Sequence, residues 1–316
     1  MWNETGVNTV STVPRAATHR GVGVGFYDRA MRFGICILPE KPWRETAPLW
    51  TRAEEMGFDH AWTYDHLVWG GLPDSQWFSC VPTLAAAAGV TTRIRLGAFV
   101  ISPNFRHPVS TSRELQTLTD ISDGRLLVGL GVGGSPDDAI LRQPELTVRQ
   151  RVDRFQEFVD LLDRTLDADH VDADGTYYQA RDMRLVGGSV RARTPLLLAG
   201  NGPRSVRFAA RNGDGWVTTG RGADTVEAWF ADVAGNHELL QETAAAAGRD
   251  PLDTYLSLDA SPQTALESVG VFDDLVGRAA EIGFTDVVVH WPRPTDPYRA
   301  DPDVLESLAS RGLDAS

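Results

Sequence analysis

The stretch from His60 to Gly71, HAWTYDHLVWGG, closes an apolar run on Asp65 and His66. Both side chains are costly to bury unpaired. The pair therefore marks either a solvated strand end or a place for proton chemistry. An imidazole carries a proton near neutral pH, and a neighbouring carboxylate can orient it. Side chains alternate along a strand, so Asp65 and His66 would face opposite ways and Asp65 could serve the backbone instead. No histidine or carboxylate stands at a metal-ligand spacing from His66. Cys36 and Cys80 form neither a metal spacing nor a CxxC pair, so no metal site is expected.

Two glycine-rich stretches could hold a ligand. GLGVGG, Gly129 to Gly134, matches GxGxxG, but the dinucleotide fingerprint needs an apolar helix straight after it. SPDDAILRQPE follows instead, with Pro136 and Pro144. The other reading is a loop whose Gly131, Gly133 and Gly134 let a planar ligand approach the backbone. In AGNGPRSVRF, Gly200 and Gly202 make a tight turn and Pro203 suits the first turn of a helix. N–H groups around Asn201 to Ser205 would hold a phosphate there. Thr218, Thr219 and Arg221 follow the next strand and would assist. A plain strand-to-helix turn is the alternative. Trp69, Trp77 and Trp291 would wall a pocket for an aromatic cofactor or apolar substrate.

The elements that must position these residues share one layout. RAEEMGFDHAWTYDH from Arg52, RFAARNGDGWVTTG from Arg207 and RAAEIGFTDVVVHWP from Arg278 each read as a helix end, a glycine stop and a buried strand. Gly57, Gly213 and Gly283 suit the left-handed position after a helix. Eight strands are predicted: Arg32–Leu38, His60–Tyr64, Ile94–Ile101, Leu126–Leu130, Leu196–Ala199, Trp216–Thr219, Thr254–Leu258 and Asp286–His290. Helical patterns over Arg149–Leu166, His107–Ser122 and Asp224–Ala247 lie between them. Such units fit an α/β fold, a (β/α)8 TIM barrel; a doubly wound open sheet is the alternative. Asp174-Gly175 predicts a β-hairpin insertion between helix four and strand five. Ala260–Phe272 reads as a second excursion. On a barrel, Asp65, His66, Ser102, Asn104, Arg106, the glycine loops and His290 all fall just past strand ends, where barrel chemistry sits.

The chain has 316 residues, 42% hydrophobic and 23% charged, an ordinary globular composition. A net charge of −13 argues against nucleic-acid or anionic-membrane partners. No apolar run is long enough for a membrane span. Two cysteines imply no disulfide framework, and a cytoplasmic setting is expected. Residues 1–30 lack a signal-peptide core and read as a loose N-terminal extension, with 31–316 as one barrel domain.

Taken in order, GFDHAWTYDHL, RIRLGAFVISPNFRHPV, LTDISDGRLLVGLGVGG, RFQEFVDLLDRTL, GTYYQARDMRL, PLLLAGNGPRSVRFAARNGDGWVTTG and TDVVVHWPRP resemble the bacterial luciferase-like family of flavin- and F420-dependent oxidoreductases. The resemblance implies a (β/α)8 barrel, often a homodimer, with a reduced flavin or deazaflavin at the C-terminal rim and a small-molecule substrate. It implies a non-prolyl cis peptide at Phe99–Val100 backing the ring, with Asn201 and Gly202 at the phosphate and Thr218 and Thr219 nearby. The Asp-His pair is similar to the branch using coenzyme F420, which makes His66 the proton-transfer residue with Asp65 beside it. One position departs. F420-dependent sugar-phosphate dehydrogenases place a Glu acid where this chain has Gly134, which counts against sugar-phosphate oxidation. The alternatives are an FMN-dependent monooxygenase and a non-catalytic flavin-binding barrel. The substrate itself is not legible.

Overall fold

Helix stops and apolar strand runs alternate along the chain. The structure, a computed structural model describing residues 31–185 and 194–313, closes them into a ring. The elements run β1 (Arg32–Cys36), α1 (Trp43–Glu55), β2 (His60–Thr63), α2 (Cys80–Val90), β3 (Arg95–Ile101), α3 (Pro108–Ile121) and β4 (Leu126–Leu130). Then come α4 (Ser135–Ile140), α5 (Val148–Asp167), β5 (Val171–Asp174), β6 (Gln179–Met183), β7 (Leu196–Ala199), α6 (Pro203–Asn212) and β8 (Gly215–Thr218). The chain continues through α7 (Val226–Ala246), β9 (Asp253–Ser257), α8 (Val269–Ile282), β10 (Asp286–His290) and α9 (Pro302–Ser310). Eight parallel strands form a closed barrel in the order β1-β10-β9-β8-β7-β4-β3-β2. This excludes the open doubly wound sheet. The expectation of a loose extension over residues 1–30 falls outside the described residues.

Strand ends differ from the predicted ones by a residue or two, because hydrogen-bonded pairing stops before the apolar run does. The hairpin forms as expected from β5 and β6, pairing antiparallel. Its turn is held from outside: Glu157 on α5 accepts hydrogen bonds from the N–H groups of Tyr177 at 2.8 Å and Tyr178 at 2.7 Å. The excursion before α8 becomes two short 3-10 turns, and α8 starts at Val269, earlier than expected, because Ser268 caps it. Gly57 and Gly283 take the left-handed conformation, at φ of 91° and 102°. Gly213 does not: its backbone is extended, at φ −84° and ψ 156°. A Cβ there would lie 2.7 Å from the Gly215 carbonyl, so the glycine answers a close backbone approach instead.

The core has two parts. One packs the helices onto the outside of the ring. The other fills the ring with Cys36, Trp62, Tyr64, Phe99, Leu127, Leu197, Val217, Tyr255 and Val288. Burying each large aliphatic side chain contributes about 1.5–3 kcal/mol. At the floor, where strands begin, Arg32 donates to Asp286 at 2.8 Å and His60 Nε2 meets the same carboxylate at 2.9 Å. Trp62 Nε1 donates to His60 Nδ1 at 2.6 Å, so His60 carries its hydrogen on Nε2. Burial opposes the Asp286 charge, but His60 and Arg32 outweigh it and hold the carboxyl below its ordinary range.

Glu54 ties α1 to the start of β3. Its carboxylate accepts from the N–H groups of Thr92, Arg93 and Ile94, with Arg93 at 2.6 Å. Partial burial opposes its charge, yet these bonds win and pull the carboxyl down to about 2. A lowered folded value gives stability that is complete above the ordinary carboxyl range and is lost as pH falls toward 2. We expect the melting temperature of Glu54→Gln to fall less steeply than wild type between about pH 5 and pH 3. Parallel curves would show that Glu54 does not link folding to protons. No helix among the described residues is long and apolar enough to cross a membrane.

Candidate active site

Alternation along β2 and its extension decides which way the first pair faces. His60, Trp62 and Tyr64 point into the barrel, and His66 continues that side above them. Its ring lies 6.1 Å from the Tyr64 ring and 6.4 Å from that of Trp77. Asp65 turns the other way. It is 2% exposed, and both its oxygens accept from Arg106, at 2.6 and 2.8 Å. The carboxylate at His66 is Asp137, in the first turn of α4, 2.9 Å from Nδ1. Asp137 is buried and also accepts from the Leu67 N–H at 2.8 Å. Burial opposes its charge, but the His66 and backbone hydrogen bonds prevail, so its carboxyl lies below the usual range. An ionised Asp137 places the His66 hydrogen on Nδ1. Nε2 meets no hydrogen-bond partner among the described residues. The arrangement is an oriented imidazole whose free nitrogen can take or give one proton.

β3 forms the neighbouring wall. The Phe99–Val100 peptide is cis and non-prolyl, at the position the resemblance implied. The adjacent β4 loop behaves differently from its sequence reading. A Cβ on Gly131 would come 2.5 Å from the Val100 side chain, and one on Gly133, at φ 81°, would come 2.5 Å from Asn104 Oδ1. Val100 and Asn104 therefore occupy the side of these two glycines on which a side chain would project. Gly134 N-caps α4, and its carbonyl accepts from Asn104 at 2.7 Å. Gly131→Ala forces Val100 to shift. We expect a loss of about 1–3 kcal/mol in urea unfolding, with weakened cofactor binding. Wild-type stability would show that Val100 yields freely.

The second glycine stretch is a helix start. Gly202 N-caps α6, Pro203 opens it, and no side chain caps its first turn, which leaves the N–H groups there open to an anion. The Asn201 side chain braces this turn against β8. It accepts from Thr218 Oγ1 at 2.9 Å and donates to Thr219 Oγ1 at 2.7 Å. These three side chains satisfy one another, so the backbone is what remains for a phosphate. Arg221 does not lean over the turn: its guanidinium pairs with Asp232 at 2.7 Å and is largely exposed. Arg221, expected at the phosphate, stands in a surface ion pair after β8.

β7 lies between β4 and β8, and β3 adjoins both β2 and β4. The imidazole, the cis-peptide wall and the uncapped helix start thus share one end of one barrel. The partly buried side chains against the interior cluster are Trp69, Leu72, Trp77, Val100, Ala199 and Tyr298, and they outline the mouth. Two polar atoms there lack partners: Ser102 Oγ, in a residue 2% exposed, and Trp77 Nε1. Unpaired buried polar atoms are rare and call for an explanation. A polar ligand at this mouth supplies one, and the rim of aromatic side chains suits one that carries a ring, so the residues fit a flavin or deazaflavin. Trp69 and Trp77 stand against Tyr64, while Trp291 packs on the outer core. Asp137 escaped sequence reading. Its one signal was an acidic residue in the turn after the glycine loop.

Comparison with known proteins agrees with this architecture. An F420-dependent glucose-6-phosphate dehydrogenase of Beutenbergia cavernae is 35% identical over 54% of this chain, a match spanning 52% of that relative. An F420-dependent hydroxymycolic acid dehydrogenase of Mycobacterium tuberculosis is 30% identical over 78% of this chain and 65% of its own length. The chain thus spans between half and two thirds of these relatives. A solved F420-dependent secondary alcohol dehydrogenase, in complex with an F420-acetone adduct, superposes with a TM-score of 0.75. It shares 16% identity and covers 89% of this chain and 97% of its own. The family described as luciferase-like monooxygenase matches residues 31–294. With the barrel and its rim agreeing with that match, the chain belongs to the luciferase-like monooxygenase family.

Proposed function

We propose that this protein is an oxidoreductase that binds coenzyme F420 at the barrel mouth and acts on a small molecule bearing a carbinol or its carbonyl. The observation that carries this reading is His66, held by Asp137 at 2.9 Å with Nε2 open to the mouth. The names of the relatives support it, each belonging to an F420-dependent dehydrogenase acting on a hydroxyl-bearing compound. Bound there, the deazaflavin supplies hydride chemistry, while the protein positions it and tunes its surroundings. Phe99 and Val100 form the wall behind the ring. Backbone N–H groups from Gly202 onward receive the phosphate, and Asn201, Thr218 and Thr219 hold that turn in shape. His66 takes the substrate proton or returns it. Asp65 acts through Arg106 to fix the segment that carries His66. Gly134 supplies no acid, so a carbinol or carbonyl compound other than a sugar phosphate is the substrate proposed.

The same reading makes the enzyme a homodimer. α2 is rich in alanine and apolar residues, and Phe78 beside it and Val90 at its end are 40% and 41% exposed. Light scattering should give twice the chain mass.

Fluorescence titration of the purified protein with F420, and separately with FMN, tests the cofactor. Micromolar or tighter binding of F420, and its bleaching by simple alcohols such as 2-propanol, is the expected result. Preference for FMN with rapid oxygen uptake would replace this reading with the monooxygenase one. Retention of neither cofactor would end it.

A further inference from the structure

A second buried imidazole lies at the same mouth, on β10, separated from β2 by β1 alone. His290, at the end of β10, is 2% exposed. Its Nδ1 lies 3.0 Å from Asp259 Oδ2, and its own N–H donates to that oxygen at 2.7 Å. The other Asp259 oxygen accepts from the Ala265 N–H at 3.0 Å. An ionised carboxylate only accepts, so Nδ1 carries the hydrogen and Nε2 of the neutral ring accepts. Tyr64 Oη is 2.8 Å from that Nε2 and gives it its single hydrogen. The Tyr64 oxygen then accepts from Tyr298 Oη, 3.0 Å away. Direction is thereby fixed along four residues. The Tyr298 hydrogen points inward, and its lone pairs are left facing out.

Tyr298 is placed with care. Its ring stacks on His290 at 3.5 Å and on Trp69 at 5.9 Å. Arg293 braces its loop, donating to the Pro297 carbonyl at 2.8 Å and pairing with Glu40 at 2.7 Å. It is one of the partly buried residues outlining the mouth, while Tyr64, His290 and Asp259 are sealed beneath it.

We propose that Asp259, His290, Tyr64 and Tyr298 form a second proton relay, which opens at Tyr298 Oη and exchanges a proton with a hydroxyl or carbonyl oxygen of the substrate. In the accepting direction the substrate O–H bond breaks and its proton bonds to Tyr298 Oη. The Tyr298 proton passes to Tyr64, and the Tyr64 proton passes to His290 Nε2. His290 ends as an imidazolium against Asp259, and the substrate oxygen keeps the electron pair of the broken bond. The return path reverses each shift. The role rests on the reading that this mouth takes substrate. The Cys36 thiol, Asp259 and Arg293 are the other titratable or charged groups acting on the two phenols. Burial raises the proton affinity of both, Tyr298 to about 12, which keeps both protonated and able to pass protons at neutral pH.

The test uses the cofactor-free full chain, so it stands apart from the F420 titration. Proton and nitrogen NMR on histidine-labelled protein, with His290 assigned through His290→Gln, reads the tautomer. The expected result is hydrogen on Nδ1 and a bare Nε2. A Tyr64 hydroxyl proton should also be visible, exchanging with water at least tenfold more slowly in Tyr298→Phe, which removes only the outer oxygen. Hydrogen on Nε2, or Tyr64 exchange unchanged or faster in Tyr298→Phe, would overturn the relay and leave a structural network. If Tyr298→Phe fails to fold, the wild-type tautomer together with Tyr64→Phe, which must free Nε2 from its donor, decides the matter.

Discussion

Replacing His66 with alanine should lower kcat by about 100-fold or more while the Kd for F420 stays within a few-fold, in line with the usual contribution of a positioned acid–base group. The argument is geometric. Asp137 fixes both the ring orientation and the hydrogen position through a 2.9 Å contact, so the free Nε2 has one place to act. Among the described residues no hydrogen bond or ring contact joins His66 to the phosphate turn or the cis-peptide wall, which is why binding should survive. Added imidazole should restore part of the rate, since the cavity left by the ring still lies beside Asp137. Asp137→Asn should lower the rate less and shift its pH profile, because the ring remains but loses the partner that sets its tautomer. An unchanged kcat at saturating substrate would remove His66 from the mechanism.

Arg106→Leu should cost about 3–5 kcal/mol of stability, because it leaves a buried carboxylate without its partner. Asp65 is 2% exposed and both of its oxygens rest on that guanidinium. The double variant Asp65→Leu/Arg106→Leu should recover much of this loss, since removing both charges leaves none stranded. Urea unfolding of the three variants measures the difference. Equal stability of Arg106→Leu and wild type would show that water or a rearranged side chain reaches Asp65. Glu114 takes another Arg106 nitrogen at 2.6 Å and remains half exposed, so it tolerates the change.

The barrel was legible because its signals are local. Leu126–Leu130 and Asp286–His290 are apolar runs that follow helix stops, and a parallel strand covered on both faces needs nothing more. The site was legible as far as strand ends go, which brought His66, the glycine loops and Asn201 into view. Its pairings were not. His66 meets Asp137 across 71 positions, and Asp65 meets Arg106 across 41. Such contacts follow from ring closure, which no window of sequence contains. The glycines also misled in one respect. Gly131 and Gly133 mark a close approach, but the approaching groups are Val100 and Asn104. The pairing of Arg221 with Asp232, in the second turn of α7, was likewise outside any window of sequence.

The alternation at the end of β2 has one more consequence. Asp65 and His66 are chain neighbours with unlike tasks, one an anchor under the wall and the other a reagent above the opening. Their assignment is a matter of parity. Deleting or adding a single residue between Trp62 and Asp65 would exchange the two, driving the imidazole toward a guanidinium and the carboxylate into the ligand's space. The number of residues between Trp62 and Asp65 is therefore as much a part of the site as their identity.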